Sequence, residues 1–307
     1  LLGLWRVQGA PMEEGFMLVF PEMVLEGKVP NRDFLHLYGP GSLWVLAAAY
    51  AAFGANLATE RVVGYLQHLG VGLGIARLLR PWGPVVSAGG GIVATVVVIT
   101  PSGLSAMAWV GAIALGTWAV AMAMEGVEAG PGRLRDLRLI AAGLLTGAAL
   151  LYRLDLALAL SLVGVLVWLH LDRRGRLRLL AATAVGSAPY LVHLAMAGPG
   201  NAIRGMLIEP VFELRGGRRL PLPPSPDRYD GFLQGAGALD QPPWPLPAFA
   251  GPRQLWLWFF ALLLASAVLV VAGVVHARRG GGPRLLAGAL FAVGLLPQAL
   301  QRADSTH

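Results

Sequence analysis

Glu13 and Glu14 stand side by side in PMEEGF, between a proline and a glycine, in a chain that is 56% hydrophobic. Two carboxylates beside apolar surface at a membrane–water boundary suit proton abstraction, because desolvation and like charge both raise a carboxyl pKa toward that of a working base. The plainer counterpart is a solvated pair favoured near a helix N-terminus. Arg153 and Asp155, in LLYRLDLAL, offer a second chemistry. A guanidinium at the boundary grips a phosphate through two N–H groups, where lysine offers only a point charge. The alternative is an Arg–Asp pair that neutralises itself. That needs a tight turn, since residues two apart do not share a helix face. In QRADSTH, Arg302 could hold a phosphate and Asp304 could bind sugar hydroxyls or orient the arginine; the plainer reading is a solvated helix end. Asp33 is counted with the substrate-binding candidates. It lies in RDFLHLYGPGS with His36 and Tyr38, ahead of a Gly-Pro-Gly breaker. Asp33 and His36 lack a third ligand at metal spacing, so no metal site is expected, although a divalent ion is not excluded.

These residues are carried by membrane helices. A mean hydropathy of +0.62 with only 13% charged residues excludes an ordinary soluble domain. The formal charge of +7 does not signal nucleic acid, because the arginines alternate with apolar runs rather than forming one patch. With no cysteine, disulfides, thiolate metal sites and a cysteine nucleophile are excluded. Apolar segments fall near 41–54, 62–76, 84–100, 104–124, 138–152, 154–171, 179–197, 254–275 and 285–300. Several approach the roughly 20 residues needed to cross a hydrocarbon core. Between them lie four arginine-rich connectors, at 76–84, 128–138, 170–178 and 276–284. Short basic loops stay cytoplasmic. Placing all four inside fixes an alternating trace from 62–76 inward to 285–300 outward.

The segment 41–54 is too short to span and reads as interfacial or re-entrant. The turn at 153–155 has no glycine or proline, yet a single helix through it would put one basic connector on the wrong side, so two short passes are expected. Gly186 and Pro189 predict a kink in 179–197. The Pro- and Gly-rich stretch 198–253 lacks clear periodicity and reads as one long external loop. The expected fold class is all-α, a polytopic transmembrane helix bundle. Residues 1–307 form one transmembrane domain, which reads as truncated at both ends. Residues 8–61 form an acidic first external loop with interfacial helices. This trace gathers the acidic pair, the Arg153/Asp155 pair, the long loop and residues 301–307 on one outer face. Ionisable groups at membrane depth are functional candidates by default.

Taken together, MEEG, EGKVPNRDF, YGPG and FGANLATER resemble the first external loop of the GT-C superfamily, in particular its protein mannosyltransferase and aminoarabinose transferase group. The resemblance implies an integral membrane glycosyltransferase of the bacterial plasma membrane, working at the extracytoplasmic face. The donor would be a polyprenyl-phosphate sugar, the acceptor an unidentified hydroxyl, and the transfer inverting, with no cofactor beyond the donor lipid. The implied partners are the lipid-linked donor and membrane lipids, with no nucleic acid. Glu13 takes the place of the family's catalytic Asp and Glu14 that of the following Glu. The departure is one methylene, and either residue could be the base. Arg153 and Arg302 match candidates for the lipid phosphate by location. Two other classes fit the same sequence: a transporter or lipid flippase, which would need mid-helix charges facing one cavity, and a non-catalytic assembly subunit.

Overall fold

A computed structural model describes Trp5 and residues 11–214, 220–231 and 251–300, without the side chains of 11–13 and 100–102. The described residues form helices and no strand beyond one isolated bridge, Pro30 with Phe34. The first connector, expected to contain interfacial helices, is largely helical. Helix α1 (Pro11–Leu25) contains the acidic pair, and α2 (Gly41–Phe53) follows the Gly-Pro-Gly breaker. At 13 residues α2 is about 20 Å long, too short for a core of about 30 Å.

The bundle proper is α3 (Leu57–Leu79), α4 (Pro84–Ser102), α5 (Ala108–Glu128), α6 (Arg133–Tyr152), α7 (Ala157–His170), α8 (Arg173–Ser187), α9 (Pro189–Ala197), α11 (Pro252–Arg278) and α12 (Arg284–Ala299), with α10 (Pro199–Ile203) lying between α9 and α11. Among the described residues four stretches are long and apolar enough to cross a membrane: Leu57–Trp82, Ala108–Glu128, Arg173–Ala197 and Pro252–Arg278. Pro84–Ile99, Leu154–His170 and Arg284–Ala299 are shorter apolar helices. The expected kink falls between α8 and α9, where Pro189 starts a new helix. The expected loop after α9 is helical through 213. Pro199 opens α10, a π-helical stretch follows over Arg204–Glu213, and Ala202 and Met206 bury against Val29 and Ala197.

Helix α5 is the axis. Its apolar window is 78% buried among the described residues, against 11% for α8–α9 and for α11. Val120, Met124, Leu139, Val163 and Phe291 build the main core around it. Lipid tails are as apolar as leucine, so helices in a membrane associate through close packing rather than the hydrophobic effect. Gly64 of α3 shows this: any Cβ there would collide with the Leu104 carbonyl and lie 2.7 Å from the Ser105 carbonyl carbon.

Ion pairs gather the four arginine-rich connectors at one end of the bundle. Glu125 accepts from Arg77 Nε at 2.8 Å and pairs with Arg138 Nε at 3.2 Å. Glu128 pairs with Arg284, whose Nη1 also donates to the Arg77 and Leu78 carbonyls. Arg135 pairs with Asp172, and Arg178 with Asp136. Helices α3, α5, α7 and α11 run toward this end, and α4, α6, α8–α9 and α12 run away from it, as the charge pattern predicts. Glu125 joins three helices from a nearly buried position. Replacing it with Gln leaves two partly buried arginines without a counter-charge, a larger loss than that of an exposed pair. Glu125→Gln should lower Tm in detergent far more than Asp172→Asn, whose carboxylate is exposed. In this cysteine-free chain, single cysteines at Gly130 and Gly282 should react with a membrane-impermeant thiol reagent from one side, and a cysteine at Arg32 from the other.

Candidate functional site

At the end opposite the arginine connectors, α1, the α1–α2 connector, α3 and the α6–α7 junction meet. Glu14 is buried, and both its oxygens are taken by Arg61 of α3: Nε to Oε1 at 2.9 Å and Nη2 to Oε2 at 3.2 Å. Arg61 Nη1 also donates to the Trp5 carbonyl. One residue earlier on α3, fully buried Glu60 accepts from the Ala106 N–H at 2.6 Å and so pins the α4–α5 connector. Tyr50 of α2 donates to the Met17 carbonyl at 3.0 Å. These contacts fix the helical turn that carries Glu13 and Glu14. Glu13 lies in α1, and its side chain is outside the described set.

The α6–α7 junction is the second half. Arg153 is extended at φ −149°, and a single 3-10 turn, Leu154–Leu156, leads into α7. Arg153 Nε donates to Asp155 Oδ1 at 3.0 Å, with a second bond from Nη2 to Oδ2. Gln298 of α12, with its amide set to suit both partners, donates to Asp155 at 2.9 Å and accepts from Arg153 at 2.7 Å. The guanidinium stacks over the Tyr38 ring at 4.5 Å. The connector bearing Tyr38 is held on α6 by a bond from the Gly39 N–H to the Tyr152 carbonyl at 3.1 Å. A Cβ at Gly39 would strike the Leu151 carbonyl, so the backbone can approach only because this residue is glycine.

A ladder of rings joins the two halves: Phe20 to His36 at 6.2 Å, His36 to Tyr38 at 5.7 Å, then Tyr38 to Arg153. The structure therefore brings the acidic helix, Arg153 and Asp155 to one end. Asp33 sits at the same connector but is engaged locally. It accepts from the Val29 N–H at 2.7 Å and from Arg32, whose Nη1 reaches the Met196 carbonyl of α9. Arg32, followed by the Val29 N–H, holds the Asp33 carboxyl below its ordinary range. Arg302, Asp304 and the rest of 301–307 lie outside the described residues, as do 215–219 and 232–250 of the long connector.

Sequence reasoning passed over Glu60, Arg61 and Gln298. For the first two a signal was present: adjacent opposite charges in ATERVV, just inside a membrane helix. For Gln298 there was none beyond its place two residues before Leu300 at the end of an apolar helix.

Among the described residues, helices in this order, short helices in the first connector and a polar cluster at one end make up a polytopic helical membrane fold. The lipid-bound crystal structure of ArnT from Cupriavidus metallidurans, described as bound to undecaprenyl phosphate, is similar at a TM-score of 0.52 and 14% identity, over 99% of this chain and 76% of that one. The apo ArnT structure is similar at 0.48 and 17% identity, over 97% of this chain and 57% of that one. No protein-family model matches the sequence, and no curated protein does at a significant level.

His36 ties the connector together and sets its acid tolerance. Its Nε2 meets the Gly39 carbonyl at 3.3 Å, and burial lowers its pKa to about 4, opposed by that carbonyl and aided by nearby His193. The unfolded chain takes up this proton near pH 6.5. The stability His36 contributes is therefore full above about pH 6.5 and is lost as pH falls toward 4. The wild type should lose Tm steeply across that window. His36→Gln, which does not titrate, should show a flatter profile in the same melts.

Proposed function

We propose that this protein is an inverting membrane glycosyltransferase, taking a sugar from a polyprenyl-phosphate donor to an acceptor hydroxyl at the extracytoplasmic face of a bacterial plasma membrane. The observation that carries the reading is the likeness of nearly the whole chain to the fold of ArnT, a protein seen with undecaprenyl phosphate bound. The placement of the acidic helix and Arg153 at one end adds to it.

Glu14 is committed to Arg61 through both oxygens, which leaves Glu13 as the base. In the proposed reaction the Glu13 carboxylate accepts the proton of the acceptor hydroxyl as its oxygen attacks the anomeric carbon. The bond from that carbon to the phosphate oxygen breaks, and polyprenyl phosphate departs with the electron pair. Arg153 holds the phosphate by exchanging Asp155 for phosphate oxygens while it stays stacked on Tyr38. Arg302 is the second candidate cation, and Asp304 and Asp33 contact the sugar. Glu14 acts through Arg61 as a positioning residue. The four basic connectors gathered at the opposite end are the charge pattern of a cytoplasmic face.

The test is transfer from a synthetic polyprenyl-phosphate sugar by the full-length protein in detergent or liposomes. Glu13→Gln should keep its Tm and lose at least a hundredfold in rate, the usual scale of a lost general base. Glu14→Gln should lower Tm as well as rate, because Arg61 is left buried without its partner. Arg153→Lys should raise the KM for donor more than it lowers kcat. Full activity in Glu13→Gln, with the protein folded, would overturn the assignment of the base.

A further inference from the structure

The arginine end carries an open, shallow cavity of about 390 Å³ lined by Arg80, Pro81, Glu125, Glu128, Arg138 and Arg284. It lies between the turn after α3, the end of α5 and the starts of α6 and α12, away from the acidic helix. Both carboxylates on its wall are already neutralised, Glu125 by Arg77 and Arg138 and Glu128 by Arg284. Counting Arg77 and Arg80, the rim therefore carries four arginines against two glutamates. The excess positive charge resides in groups with donors to spare. Arg80 is exposed and carries no side-chain hydrogen bond or ion pair among the described contacts, and a short turn, Arg80–Trp82, holds its backbone. Arg138 uses Nε on the Glu125 carboxylate and Nη1 on the Glu125 carbonyl, leaving Nη2 without a recorded partner.

We infer that this cavity binds a phosphate-bearing anion between Arg80 and Arg138, by the juxtaposition of two incompletely used guanidinium groups over a wall whose carboxylates are already paired. Guanidinium forks match phosphate oxygens in pairs, and charge-assisted bonds of this kind are about twice as strong as neutral ones. Trp82 lies half-buried beside Pro81, in the amphipathic setting of a headgroup-level tryptophan. A phospholipid phosphodiester therefore has the right chemistry and depth, and basic pockets between helices at this level bind anionic headgroups. A free phosphate would meet the same donors.

The experiment is a thermal melt of the full-length protein in detergent, titrated separately with phosphatidylglycerol, phosphatidylcholine and inorganic phosphate at fixed ionic strength, so that screening is constant. Phosphatidylglycerol should raise Tm saturably and phosphatidylcholine should not. Arg80→Gln should need about tenfold more phosphatidylglycerol for half the shift, and Arg80→Lys should fall between, since an ammonium cannot bridge two oxygens in one plane. If inorganic phosphate reproduces the shift and competes with the lipid, the site takes soluble phosphate. If only the lipid acts, it takes the headgroup. Native mass spectrometry of the same samples counts bound lipid whatever the variant's stability. Equal effects of the two lipids, no saturable shift from either phosphate source, or Arg80→Gln binding as the wild type binds would each overturn the inference.

Discussion

A guanidinium taken out of water must find an anion inside the protein, and the architecture depends on that constraint. Arg61 meets Glu14, Arg153 meets Asp155, Arg77 and Arg138 share Glu125, and Arg284 meets Glu128. Most of these pairs join elements distant in sequence, so each works as a clasp between helices. Desolvating two charges is costly, and such pairs rarely add much net stability over apolar side chains. Their effect is on specificity. A helix sliding by one turn would strand a charge in a low-dielectric interior, so register and direction are held by what the wrong arrangement would cost.

The two ends of the bundle use the same clasp differently. At the arginine end the pairs link connectors, and guanidinium groups also cap helix C-terminal carbonyls: Arg284 on those of Arg77 and Leu78, and Arg138 on that of Glu125. The result is a basic rim with donors left over. At the other end the clasps are buried beneath aromatic rings and a tightly packed connector. Gly39 and Gly64 let backbones touch there, and the ladder Phe20–His36–Tyr38 passes position from the acidic helix to Arg153. Side chains braced on three helices in this way are held in place more closely than they would be on a free loop.

That bracing separates the two adjacent glutamates, which are chemically alike. Both oxygens of Glu14 are engaged by the buried Arg61, so Glu14 fastens α1 to α3 and with it the helical turn that carries Glu13. The Arg153–Asp155 pair has a parallel logic. Its guanidinium is held in one orientation by Tyr38, Asp155 and Gln298.

Much of this was legible in the chain itself. Apolar runs of fixed length and arginine-rich connectors specify an alternating helix bundle, because the hydrocarbon thickness and the price of a misplaced charge act on local composition. Pro189 marks the α8–α9 break for a similarly local reason: proline lacks an N–H. The break at Arg153 is different, since no residue there forbids a helix. It forms because Asp155 and Gln298 capture the guanidinium, and Gln298 arrives from far along the chain. The helical character of residues 199–213 was also hidden, since Ala202 and Met206 bury against Val29, from far earlier in the chain, and Ala197. The sequence alone thus determined which segments enter the membrane and that carboxylates and arginines accumulate between them. Only the tertiary structure decided which carboxylate each arginine holds, because pairing depends on distances across helices that no local pattern encodes.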